Sequence, residues 1–185
     1  MATPTESLDT RFSDSAALPT PWSAAAERLA RAEVAWIVTV RPDGRPHSTP
    51  VVPVFHDDRM YFHTGRREVK HANLQANPNV LVLVGDTEWD RGLDVMFEGT
   101  ATPVTDPEAL RRVADLFRAR WDGRWILESA DGRLETLAAP DVEIVVYEVT
   151  PTKARGHSKG EPFGQTTYRF RAERSPAPLA QEGIR

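Results

Sequence analysis

Residues 61–78 read Tyr61-Phe-His-Thr-Gly-Arg-Arg-Glu-Val-Lys70-His-Ala-Asn73-Leu-Gln-Ala-Asn-Pro78. The opening residues end a strand, Thr64-Gly65 makes a turn, and a short helix follows that stops before Asn77-Pro78. With Thr64 as N-cap, Arg66 and Arg67 fall in the first helical turn, where the macrodipole favours acidic side chains. Cations beside unpaired backbone N–H groups repel that end unless an anion satisfies both. Lys70 lies a turn further on and Asn73 follows at i+3, so Arg66, Lys70 and Asn73 share a face. The segment predicts a phosphate seat. The alternative is a solvated helix face whose cations pair with Glu68.

Working outward from this stretch, the upstream sequence is rich in strand signals. Thr20-Pro21 opens a helix through about Glu33, with Pro21 at its first position. Val34 to Val40 is β-branched and apolar on both faces, which predicts an interior strand. Pro42-Asp43-Gly44-Arg45 turns into a second strand, about His47 to Phe55, which Pro50 and Pro53 must bend or bulge. Met60 to His63 is the third.

Downstream, Val80–Val84 and Asp94–Thr102 are strands, and Gly99 marks a bulge. Thr105-Asp-Pro-Glu108 predicts a capping box, and the helix behind it stripes Leu110, Val113, Ala114, Phe117 and Trp121 toward a core. Residues 122–139 read as an irregular loop, and Val142–Val149 as strand. Gly156–Pro162 reads as a flexible loop before a last strand, Gln165–Phe170. Six to seven short strands with few helices predict a mainly β, α+β domain: a mainly antiparallel barrel with flanking helices over residues 20–170. Residues 1–19 and 171–185 are polar and without period, and are expected to be flexible tails.

Composition narrows the function classes. The 185 residues carry a formal net charge of −4 with a pI near 5.8, which argues against nucleic acid as a partner. Lysine supplies three of 23 basic residues (Lys70, Lys153, Lys159), an arginine bias typical of GC-rich genomes. Cysteine is absent, which removes disulfides, thiolate metal sites and cysteine nucleophiles. No apolar run is long enough to span a membrane or form a signal core, so a cytoplasmic protein is expected. Histidines and carboxylates show no metal-ligand spacing. Ser48 and Ser158 lack the surroundings of a nucleophile elbow.

The order of these features resembles a known family. The hairpin Arg41-Pro-Asp-Gly-Arg-Pro-His47, the bent strand Ser48-Thr-Pro-Val-Val-Pro53, the Thr64–Leu74 segment and Asn77-Pro78-Asn79-Val80 together are similar to pyridoxamine 5′-phosphate oxidase-like split barrels, over about residues 22–170. The resemblance implies an oxidoreductase that binds FMN or the deazaflavin F420 and passes a hydride to or from a small organic substrate. It implies that Lys70, with Arg66 or Arg67, holds the cofactor phosphate. His47, Ser48, Thr49, Pro50 and Val51 would run along the ring, with His63 and Thr64 on the adjacent strand. It also implies a homodimer with the cofactor at the subunit interface. Thr167-Tyr-Arg-Phe170 stands where an Arg-Leu-type substrate signature would be expected, which argues against vitamin B6 oxidation. Lys159, Phe163 and Gln165 sit in the best candidate lid. No side chain is singled out as general acid or base. The alternative reading is a non-catalytic carrier of flavin, deazaflavin or haem.

Overall fold

A computed structural model describes residues 3–121, 125, 127–130, 133–136 and 142–171. The strands are β1 (Thr5–Leu8), β2 (Ala35–Val40), β3 (Pro46–Val51), β4 (Val54–His56), β5 (Arg59–Gly65), β6 (Asn79–Val84), β7 (Gly92–Pro103), β8 (Leu127–Ala130), β9 (Arg133–Thr136), β10 (Ile144–Lys159) and β11 (Gly164–Arg169). The helices are α1 (Trp22–Arg31), α2 (Val69–Ala76) and α3 (Pro107–Arg120). Nine strands form one antiparallel sheet in the order β1-β11-β10-β7-β6-β2-β3, and β5 adds to β10 with β4 beyond it. The sheet curls without closing, so the mainly β split-barrel architecture is present with more strands than the sequence predicted.

Strand β10 is the spine. Its first half pairs with β5 (Val146 opposite His63), and most of its length pairs with β7. The irregularity expected at Gly99 falls on the partner strand: the register slips between Pro151 and Lys153, with Pro151 opposite Gly99. Two cores lie against the sheet. One joins Trp22, Ala25 and Leu29 of α1 to Ile37, Phe62, Val82, Phe97 and Tyr168. The other joins Val113 and Phe117 of α3 and the adjoining Trp121 to Val54, Tyr61, Ile144 and Val146. Leu110 and Ala114 pack at its margin, so the predicted stripe on α3 does face a core.

Several boundaries differ from the expectations. The cap of α3 is Asp106, whose carboxylate accepts from the Ala109 N–H at 2.7 Å, with Pro107 at the first helical position. The bent strand splits at Val52-Pro53 into β3 and β4, because proline cannot donate to a ladder. The loop predicted over residues 122–139 contains the hairpin β8–β9, and the sequence between those strands is Asp131-Gly132, a strong hairpin dipeptide.

The expected N-terminal tail is an ordered edge. Strand β1 pairs with β11, and Glu6 accepts from the Trp22 N–H at 2.6 Å. A polar strand with no alternation is stabilised by its partner strand, which leaves no periodic trace in the sequence. Of the C-terminal tail, residues 172–185 lie outside the described residues.

Candidate functional site

A cavity of about 310 Å³ opens where β3, β5, the turn before α2 and the start of β10 meet. Its walls are mostly apolar: Val34, Pro50, Val51 and Val52 on one side, Val142, Ile144 and Trp125 on the other. His63, Gly65, Glu68 and Lys70 supply its polar end.

His63 reaches this space because β5 alternates, sending Phe62 to the main core and His63 to the other face. Its ring centroid lies 5.6 Å from those of both Phe117 and Trp125. The buried Nε2 finds no hydrogen-bond partner among the described residues. Burial in these aromatic surroundings pushes its pKa down to about 4, with the Lys70 charge acting the same way and Glu68 opposing. The imidazole is therefore neutral at pH 7.

The turn before α2 is built differently from the sequence expectation. Strand β5 continues through Gly65, and the cap of α2 is Glu68 rather than Thr64. The extension follows from pairing: Thr64 and Gly65 lie opposite Val145 and Ile144, and the Arg66 N–H donates to the Glu143 carbonyl at 3.1 Å. Arg66 and Arg67 thus precede the helix instead of crowding its first turn. Arg66 Nε pairs with Glu143 Oε1 at 2.6 Å, and its side chain borders a separate cavity of about 400 Å³ with His71 and Gln75.

Lys70 is 6% exposed, and its ammonium contacts the Glu68 carboxylate. Glu68 also accepts from the Gly65 N–H at 2.7 Å. Burial raises the Glu68 pKa, but the hydrogen bonds from Lys70 and Gly65 outweigh it and leave the group below its ordinary value. Asn73 is buried away from the cavity and donates to Thr39 Oγ1 at 2.9 Å, tying α2 to β2.

Of the predicted cofactor residues, Pro50, Val51, His63 and Lys70 line the cavity; His47, Ser48, Thr49, Thr64, Arg66, Arg67 and Asn73 do not. Thr64 is buried beside Glu68, and His47 keeps an unpartnered buried Nδ1 on β3. Trp125, which the sequence sets with Trp89 and Trp121 among candidate pocket walls, does line the cavity, while the sequence reading missed Val34, Val52, Gly65, Glu68, Val142 and Ile144. Glu68 alone carried a signal, since it sits among the cations of the turn.

The expected lid is instead a β-hairpin. His157 and Ser158 pair with Gln165 and Gly164, and the same residues pair with β7 on their other side. Lys159 Nζ lies 3.0 Å from both Asp94 Oδ1 and the Asp86 carbonyl and also contacts the Glu88 carbonyl. The Phe163 N–H donates to Asp14 Oδ2 at 2.6 Å, and the Gln165 N–H to Ser13 Oγ at 3.0 Å. Backbone pairing on both edges leaves β10 no hinge, and Lys159, Phe163 and Gln165 do not border the cavity. Among the described residues, no group of three histidines or carboxylates could hold a metal, and no helix is long and apolar enough to cross a membrane.

The family profile of pyridoxamine 5′-phosphate oxidase matches residues 22–158. The chain belongs to this family. Solved structures agree at the level of fold. A pyridoxamine 5′-phosphate oxidase-related, FMN-binding protein from Nostoc punctiforme superposes with a TM-score of 0.58 at 19% identity, over 84% of this chain and 94% of that one. A conserved hypothetical protein from Mycobacterium tuberculosis gives 0.59 at 24% identity, over 75% and 85%. An F420 reductase gives 0.51 at 24% identity, over 69% and 93%. No curated protein matches the sequence.

Proposed function

We propose that this family member is an oxidoreductase that binds FMN or F420 in the cavity beside His63 and acts on a small organic substrate. The observation that carries the reading is a mostly apolar cavity of about 310 Å³ with a neutral, half-buried His63 and Lys70 at its polar end. Ligand sites pair apolar walls with a few convergent polar groups in this way. The residues fit a planar ring with an anionic tail: valine, proline and Trp125 walls suit the ring, and Lys70 is the cation at the polar end.

Either cofactor, when bound, supplies the hydride-carrying ring. The chain's own part is positioning. Val34, Pro50, Val51 and Ile144 exclude water, and His63 Nε2 exchanges one hydrogen bond with a polar edge. His63 carries no positive charge at neutral pH, so it orients without adding a formal charge. The Nostoc protein's FMN binding and the F420 reductase lend the cofactor pair its support. The protein works as a homodimer, since two of the cavity's walls, Val34 and Val142, are 51% and 43% exposed in a single chain.

The test is titration with FMN and F420, followed by oxidation of the reduced cofactor against a panel of quinones and enones. Wild type is expected to bind at least one of the two and turn over. Lys70→Ala should weaken binding roughly tenfold, because Glu68 is then an uncompensated negative charge beside the anionic tail. Stability should also fall by about 1–2 kcal/mol, because Glu68 loses its counter-ion while half in water. Absence of binding to both cofactors sinks the reading, and binding without turnover makes the protein a carrier.

A further inference from the structure

The turn that the sequence marks as an anion seat already holds an anion. Glu68 takes two donors of that seat, the Gly65 N–H and the Lys70 ammonium, with Thr64 beside it. It lies against Gly65, where an added Cβ would come within 3.2 Å of Glu68 Oε1, so glycine makes room for the carboxylate. Glu143 likewise occupies Arg66. Arg67 is exposed, and among the described residues it alone of these three cations has no partner. Of the charged groups of this turn, Lys70 and Glu68 border the cavity while Arg66 and Arg67 do not, so the polar end of the site carries a paired cation and anion with no surplus charge.

We infer that Glu68 is a resident anion that sets the charge the site accepts, favouring a tail with a monoanionic phosphodiester over a dianionic phosphomonoester. The inference rests on the flavin or deazaflavin reading above and sharpens it toward F420, whose phosphate group is a monoanionic phosphodiester, the carboxylates of its tail being separate from that group. A dianion entering beside Glu68 must displace the carboxylate from Lys70 or sit against like charge. Glu68 remains ionised in neutral solution, because its hydrogen bonds outweigh the effect of burial. A monoanionic phosphodiester meets less repulsion from Glu68 than a dianion does and leaves the internal pair in place. Glu68 is thus a specificity residue that acts through Lys70.

The experiment compares wild type with Glu68→Gln, which keeps shape and removes charge. Affinities for riboflavin, FMN and F420 are measured by fluorescence titration, and melting temperature is followed with inorganic phosphate against chloride at equal ionic strength. Wild type should bind FMN within about threefold of riboflavin and F420 at least about tenfold tighter than FMN. Glu68→Gln should bind FMN about tenfold or more tighter than wild type, leave riboflavin unchanged, and gain phosphate-dependent stabilisation that wild type lacks. A wild-type preference for FMN over riboflavin of about a hundredfold overturns the inference without any variant. Equal gains for FMN and riboflavin, or no gain for FMN, also overturn it. Phosphate stabilisation of the variant with no flavin or deazaflavin binding would sink the cofactor reading and leave the role of Glu68 standing. Ring binding with neither charge effect would do the reverse.

Discussion

At the scale of single residues, His63 ties stability to pH. Its folded pKa of about 4 lies below the ordinary 6.5, with desolvation the main cause. Above pH 6.5 both folded and unfolded forms are neutral, and the residue contributes no pH dependence. As pH falls below 6.5 the unfolded chain takes up a proton that the folded chain refuses. Stability is therefore lost between pH 6.5 and 4, by on the order of 3 kcal/mol in total. His63→Gln keeps a polar group but does not titrate, so the difference in stability between wild type and variant should change across this window and level off below it. Urea denaturation at pH 7, 5.5 and 4.5 reads it out. Parallel losses in both proteins would mean that His63 is protonated in the fold and that its nitrogen has a partner. The residue was legible as a candidate because Tyr61-Phe-His63-Thr already reads as a strand running into a turn. Val142 was not, since it reaches the cavity beside His63 only through the pairing of β10 with β5, a contact between distant parts of the chain.

Elements carry the next scale, and the crossing of β7 with β10 is the tightest point of the sheet. At Gly99 an added Cβ would run into the Thr150 carbonyl oxygen and sit 2.9 Å from Val149 Cγ1. The neighbours are backbone and a buried β-branched side chain, neither of which can swing aside. Gly99→Ala should destabilise by about 1–3 kcal/mol, the usual cost of overpacking. Chemical denaturation checks this, and a variant as stable as wild type would mean that β10 can shift at its bulge. Sequence signals placed β2, β6, α1 and α3 well, because each has its own apolar period or cap. They failed where one element's state depends on another. Strand β1 exists by pairing with β11, α2 begins late because β5 is drawn onward by β10, and the glycines around Lys159 close a hairpin rather than a hinge. Gly160 has φ +93°, and an added Cβ there would meet the Asp90 carbonyl oxygen at 2.5 Å, so the glycine serves a fixed turn. Glycine and proline report that the chain bends; they do not report whether the bend moves.

For the whole molecule, the outer face of the sheet predicts an assembly. Trp36 is 50% exposed on β2, between Leu83 of β6 and Pro50 of β3, and Met96 of β7 lies opposite Leu83. This row is apolar and lies on the face that α1 does not cover. Its far end on β10 carries Arg155, opposite Met96, and then His157, whose buried Nε and Nε2 lack partners among the described residues. Exposed apolar surface of this kind suits a self-complementary contact with a second copy. Val34, half exposed, joins the start of β2 to the cavity, so the same contact would close the cavity wall. Sedimentation at micromolar concentration should give close to twice 20.7 kDa. Trp36→Asp places a charge at the centre of the row, away from the core, and should give a folded monomer. If the cavity needs the partner, that monomer also loses cofactor affinity while its circular dichroism and melting stay close to those of an isolated wild-type chain. A wild-type monomer that retains cofactor fully would remove both the interface and its link to the site. A Trp36→Asp dimer would move the contact to another face.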